Sequence, residues 1–399
     1  MRPTNDDGRD GSDRDAARGR QRPSRRKFLA LGGAATAAAL AGCSVPGVLS
    51  GDGSDGQVTI SDFRGSGPLV ESREAPSGTP ISELPDLSGE LKLYLGGGEG
   101  GLYLDLIELF QRIYPDFSVN HKLQPSSDLA NTIIEETDAG ASPADVFVSI
   151  DAGSLGAVAN AGATTALPDS VLETVPSAFQ SGDGQWTGVA GRARAIPYNT
   201  NALSASDIPN SVQSFPDTAA LSNAMGWAPS YGAFQSFITA MRLIRGDDAT
   251  RQWLTDMMDH GVSTYPDEFR VSNAAADGEI KAGFANHYYS LRVRSSRPDA
   301  PLDLAFTEGD AGALVNVSGA AIISDSDKQE LAGNFVRHLL SAEAQEFFAT
   351  RTFAYPMAPG VPPVGGLPRI DDLNPPDIDL TELADISGTL DLLRDVGVL

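Results

Sequence analysis

The sequence predicts an α/β fold built on mainly parallel sheets covered by helices, and three observations carry that prediction. Apolar runs of strand length alternate with stretches of helical periodicity from Leu91 onward, an order that implies parallel strands joined by helical crossovers. Glycine-rich turns stand where strands hand over to helices. At 399 residues with 41 % hydrophobic content, the chain can bury enough apolar surface for two lobes.

The first 42 residues read as an address. Ser24-Arg25-Arg26-Lys27-Phe28-Leu29 is a twin-arginine signature, and the small, apolar run Ala30 to Ala41 behind it is too short to stay as a membrane span. Leu40-Ala41-Gly42-Cys43 has the form of a lipobox, in which Cys43 becomes the first residue and carries lipid. As the only cysteine, Cys43 has no disulfide or thiolate-metal partner. Residues 43–89, rich in Gly, Ser, Pro and Asp, read as a tether whose short apolar patches, such as Val58-Thr59-Ile60, hint at partial docking.

The body opens with strand Leu91 to Leu95, the turn Gly96 to Gly101, and a helix with Leu102, Leu106, Leu109, Phe110 and Ile113 on one face, stopped by Pro115. That turn is either a simple tight turn or an anion-friendly one, because bare N–H groups and a helix dipole point into it. It lacks the Gly-Lys-Ser/Thr ending of a phosphate-cradling loop. Strand (Phe117 to Leu123), helix (Leu129 to Ala139), strand (Ala144 to Ser149) and helix (Leu155 to Ala161) follow. Trp186 to Pro197 is extended, Phe234 to Ile244 and the stretch around Trp253 are helical, and Lys281 to Ala285 is a buried strand. Ala313 to Ile323 is a long apolar strand before helical sequence from Lys328 to Phe348.

Composition narrows function. Fifty-three acidic against 29 basic residues give a net charge of −24, with only five lysines, so nucleic acid is a poor partner. A surface so acidic and lysine-poor stays soluble where salt screens its self-repulsion, which points to a high-salt organism. No Ser/His/Asp series, zinc spacing or reactive cysteine suggests an enzyme. His121, His260 and His338 read as structural, the first and last in amphipathic or exposed stretches. Trp186, Trp227 and Trp253 read as core or hinge packing.

Asn286-His287-Tyr288-Tyr289 is the chemically distinctive stretch. Neighbouring side chains of a strand point to opposite faces, so two adjacent tyrosines serve one ligand only where the chain leaves strand geometry, and that is where open α/β sheets bind ligands. Phenolate oxygen is a hard anionic donor suited to Fe(III), and the bound ion lowers the phenol pKa from its ordinary value near 10. Arg192 and Arg194 alternate on the extended stretch before Tyr198. They share one face and either fork onto an anion or pair with carboxylates.

The order of Ser142-Pro143-Ala144-Asp145-Val146-Phe147, Gly191-Arg192-Ala193-Arg194, Tyr198-Asn199-Thr200, Asn286-His287-Tyr288-Tyr289 and Gly312-Ala313-Leu314-Val315-Asn316-Val317 resembles the periplasmic ferric-iron-binding proteins, substrate-binding components of ABC importers. The resemblance covers roughly Leu91 to Leu399. It implies a two-lobed, type II periplasmic-binding-protein fold joined by hinge strands, with lobe 1 formed by 90–194 plus about 313–345 and lobe 2 by 195–312 plus about 346–399. It further implies Fe(III) as cargo, held by Tyr288, Tyr289 and a third tyrosine, Tyr198. A synergistic anion such as carbonate would sit by Arg192, Arg194, Gly232, Ala233 and Asn286, with a permease as partner and a monomer at the outer face of the membrane.

The sequence departs from that pattern in places. Gly97 and Gly98 replace a histidine or arginine in the first turn and Ile150 stands for a glutamate, leaving Glu99 or Asp151 as candidate first-lobe contacts. Weak closure on the metal is then expected. Glu268 stands where relatives often have asparagine, and would repel phosphate unless Arg270 compensates. His287 is expected to support the site by a hydrogen bond rather than to ligate. A two-lobed receptor for another solute, such as thiamine, sulfate, a polyamine or another small organic molecule, is the alternative.

Overall fold

The computed structural model describes residues 58–71, 73–97 and 100–399; the twin-arginine segment, Cys43 and Glu99 lie outside the described residues. The central structural fact is one long strand, Thr187–Asn199, whose residues are buried throughout except for the half-exposed Arg192. Its first half pairs antiparallel with strand Val315–Ile323, from Ala320 opposite Thr187 to Val315 opposite Ala193. Its second half takes new partners: Arg194 lies opposite Asn286, and Ile196 to Asn199 lie opposite Ala305 to Leu302. The change of partners falls at Ala193–Arg194.

Each half of the sheet is the parallel arrangement that alternating strands and helices imply. In the first, strand Gly89–Gly96 lies parallel to both Phe117–Gln124 and Val146–Ser149, and Val315–Ile323 closes it antiparallel. In the second, Met225–Trp227 lies parallel to Ala282–Gly283 and Ser263–Thr264. Helices Gly100–Ile113, Ser126–Asp138 and Ala152–Asn160 serve the first half; Gly232–Arg245, Asp247–Asp259 and Glu268–Asp277 serve the second. The second core is aromatic, with Phe237 stacked on Phe284 at 5.6 Å and Trp253 edge-on to both. Trp186, Trp227 and Trp253 are all buried.

Three stretches depart from the expected pattern. Part of the stretch read as a tether is docked: Phe63, Val70, Ile81 and Leu87 are buried, and Arg64 and Arg73 both pair with the fully buried Glu346 at 2.8 and 2.9 Å. Breaking such a buried pair by removing one partner costs on the order of 3–5 kcal/mol. His338 is also buried rather than exposed, with Nδ1 donating to the Asn334 carbonyl at 2.7 Å and Nε2 accepting from Tyr114 Oη at 3.0 Å. Finally, the C-terminal stretch touches both halves. Tyr355–Pro356 pairs with Gly191 and Ala190; Leu380–Ala384 packs on helix Ala152–Asn160; Ile386–Val396 packs on Gly232–Arg245 and Asp247–Asp259. Gly153 and Gly156 make that approach possible, since a Cβ at either would come within 3.0 Å of the Ala384 backbone or the Thr381 side chain. Among the described residues no helix is long and apolar enough to cross a membrane.

Candidate functional site

The carboxyl ends of parallel strands from both halves converge on one cleft of about 800 Å³, the position at which open α/β sheets bind ligands. The first half contributes Gly97, Gln124, Ser126, Ile150 and Asp151; the second contributes Tyr231, Gly232, Ala233, Asn286 and Tyr288. Between them the central strands present Arg192, Arg194 and Asn316, and the C-terminal stretch closes one side with Leu383, Ala384 and Ile386.

The tyrosine pair leaves strand geometry as its chemistry requires. The buried strand expected over Lys281 to Ala285 is two short pieces, Ala282–Gly283 and Ala285–Asn286, after which helix His287–Ser296 begins at once. Both tyrosines therefore fall in one helical turn, about 100° apart around the axis, and their ring centroids are 4.2 Å apart. A third phenol meets them: the Tyr231 hydroxyl hydrogen-bonds the Tyr289 hydroxyl, with the two rings edge-on at 6.0 Å. Tyr231 is the N-cap of helix Gly232–Arg245, so the free N–H groups of Gly232 and Ala233 face the same cleft. Burial, then the neighbouring Tyr288 and Tyr231, push the Tyr289 phenol pKa well above its ordinary value.

The arginines show how charge is arranged on the central strand. Arg194 is buried, and its Nη1 donates to Glu268 Oε1 and, at 3.3 Å, to Asn286 Oδ1. The second Glu268 oxygen accepts the Asn286 N–H at 2.8 Å. Arg270, the residue expected to offset Glu268, is exposed, so the compensating cation is Arg194. Arg194 Nη2 is buried and, among the described residues, without a hydrogen-bond partner. His287 is fully buried and holds the site from behind: its Nε2 donates to the Phe353 carbonyl at 2.7 Å and its Nδ1 accepts the Ala193 N–H at 3.2 Å. Burial lowers its pKa to about 4, so the ring is neutral.

Residues 105–370 match the bacterial extracellular solute-binding protein family. The chain belongs to that family. Two relatives extend the match. The major ferric iron-binding protein of Neisseria meningitidis serogroup B is 31 % identical over 278 residues, 68 % of this chain and 82 % of the relative. The Fe(3+)-binding periplasmic protein of Serratia marcescens is 28 % identical over 68 % of this chain and 80 % of its own. Among solved structures, iron-bound HitA from Pseudomonas aeruginosa is 29 % identical with a TM-score of 0.66, covering 77 % of this chain and 99 % of HitA. The fold is also shared, at 24 % identity and a TM-score of 0.67, by a Trichodesmium protein solved with iron and citrate, over 77 % of this chain and 99 % of that one. The fold is thus the two-lobed type II periplasmic-binding-protein fold, and the protein is a solute-binding protein rather than an enzyme.

This solute-binding protein gathers most, though not all, of the residues read from its sequence. Tyr288, Arg192, Arg194, Gly232, Ala233, Asn286 and Asp151 line the cleft, and Tyr289 lies directly behind Tyr288. Tyr198 is not brought there. It shares the strand face of Arg192 and Arg194 by alternation, but stands four residues beyond Arg194, about 13 Å along the strand, among its pairing partners Asp303 and Ala282. Asp151 lines the cleft with its carboxylate already engaged, accepting from Ser154 N at 2.7 Å and Ser154 Oγ at 3.1 Å as the cap of helix Ala152–Asn160. Tyr231 is not among the residues read from the sequence, although its neighbours Gly232 and Ala233 are. A tyrosine one residue before a helix that follows a sheet strand was the available signal.

Proposed function

We propose that this protein is the Fe(III) receptor of an ABC importer, holding the ion on the phenolates of Tyr288 and Tyr289 with Tyr231 as third phenol, and delivering it to a membrane permease. The observation that carries the reading is the meeting of three phenols at the mouth of an interlobe cleft, supported by relatives named for ferric iron. Three phenolates offset Fe(III), and an anion such as carbonate completes the shell beside Arg192, Arg194 Nη2 and the N–H groups of Gly232 and Ala233. Tyr198 is set aside as third ligand because of its distance along the strand. The lobes divide at Ala193–Arg194, where the long strand changes partners.

A phenolate-to-Fe(III) charge-transfer band in the visible is the expected result when the protein is mixed with Fe(III) and carbonate. A protein that stays colourless under those conditions while binding an organic solute tightly would sink the ferric reading. The second reading has one observation in its favour: a cleft of about 800 Å³ is far larger than one ion and its anion need. For location, the twin-arginine signature and the lipobox support export and a lipid anchor on Cys43. The variant Cys43→Ser should appear in the medium, and its retention on membranes would overturn the anchor.

A further inference from the structure

We infer that Arg292 is a positioning residue of the tyrosine site, placing a fixed positive charge against the rings of Tyr288 and Tyr289 so that both hold Fe(III) more tightly as phenolates; the inference rests on the ferric reading above. Arg292 lies four residues after Tyr288 and three after Tyr289 on helix His287–Ser296, the spacings that stack side chains on one helix face. Its guanidinium carbon is 5.1 Å from the Tyr288 ring centroid and 5.7 Å from that of Tyr289, within cation–π range of both. The neighbouring arginines of the same segment pair with carboxylates, Arg294 with Asp303 and Arg297 with Asp277. Arg292 is half-buried and, among the described residues, has no carboxylate within ion-pair distance. In so acidic a chain, a guanidinium directed to two phenol rings instead of a carboxylate points to a charge the rings themselves acquire.

The physical difference lies between phenol and phenolate. A phenolate ring carries part of the oxygen's negative charge, so its attraction to a cation over its face exceeds that of a neutral phenol, and Arg292 favours the metal-bound form over the metal-free one. The other charged groups around the rings do not duplicate this. Arg194 is matched by Glu268, Arg192 lies on the anion side of the cleft, and Phe269, whose ring is 6.3 Å from that of Tyr289, is uncharged. Tyr231 adds a further phenol and no cation. Arg292 is thus the cation on the ring faces, whereas Arg192 and Arg194 serve the cleft.

The test compares the parent with Arg292→Gln and Arg292→Lys, all loaded with Fe(III) and carbonate at one fixed pH, by the visible charge-transfer maximum and by chelator competition. Thermal melting of the metal-free forms checks folding. Arg292→Gln should melt like the parent, bind Fe(III) about tenfold more weakly, and absorb at longer wavelength, because phenolate electrons no longer held by the cation pass more readily to the metal. Arg292→Lys should restore both. If Arg292→Gln weakens affinity without moving the band, or changes neither while the parent is coloured, the inference is wrong and the ferric reading stands. A colourless parent removes both. Should Arg292→Gln melt early, Arg292→Lys alone decides: the parent's band and affinity support a charge role, and their loss overturns it.

Discussion

The two walls of the cleft are built on opposite terms. On the first wall two polar groups are already engaged: Asp151 caps its own helix, and Ser126 Oγ accepts the Ile150 N–H at 3.0 Å. On the second wall phenols lie against phenols, and on the strand beside it Arg194 Nη2 has no hydrogen-bond partner among the described residues. A buried donor without a partner costs about 1–3 kcal/mol, a cost a fold sustains where a ligand removes it. The lesson is that lining a cleft does not by itself leave a group free for a ligand.

The largest test of that contrast sets the phenols against Asp151. Replacing Tyr231, Tyr288 or Tyr289 by phenylalanine removes an anionic donor and keeps the ring, so each variant should fold and lose Fe(III) affinity by at least about 100-fold in chelator competition, beyond the effect of changing an outer-shell partner. Asp151→Ala should do the reverse, lowering stability by about 1 kcal/mol through loss of the helix cap while leaving affinity within about threefold. An affinity loss in Asp151→Ala as deep as in the tyrosine variants would erase the distinction between the walls.

A smaller effect, acid, acts on both halves, since a buried histidine with a lowered pKa lies in each, His287 at the second wall and His338 behind the first. His338 packs behind the first wall with its pKa lowered to about 4, by burial first and by Arg337 second, against an ordinary value near 6.5. The unfolded chain therefore binds the extra proton first. Stability from this group is intact above about pH 6.5 and is lost as pH falls toward 4, amounting to about 2 kcal/mol between pH 7 and pH 5. Denaturant melts of His338→Gln should show a shallower loss over that window than the parent, and an equal slope would mean that His338 is not buried neutral.

How far the sequence could be read follows from what is local in it. The alternation of strands and helices is local, and so is Asn286-His287-Tyr288-Tyr289, because two adjacent tyrosines must leave strand geometry to act together. Partners far apart in the chain were not legible. Glu268 was set against Arg270, two residues away, but its cation is Arg194, 74 residues earlier. The resemblance offered Tyr198 as third ligand and said nothing of how far a 13-residue strand carries it from the arginines. His338 looked amphipathic, and only the Tyr114 hydroxyl from a distant helix end shows why it tolerates burial. The docked Arg64 and Arg73 were hidden for the same reason, since their carboxylate, Glu346, stands near the other end of the chain.

The C-terminal stretch has a consequence in time. A ribosome adding about 5–20 residues per second takes about 20 to 80 s over a chain of this length, and domains tend to form in the order they are made. Every phenol and arginine of the site has then been synthesised well before Leu383, Ala384 and Ile386, which close the side of the cleft. For its last seconds of synthesis the chain has every candidate ligand made and this rim still to come.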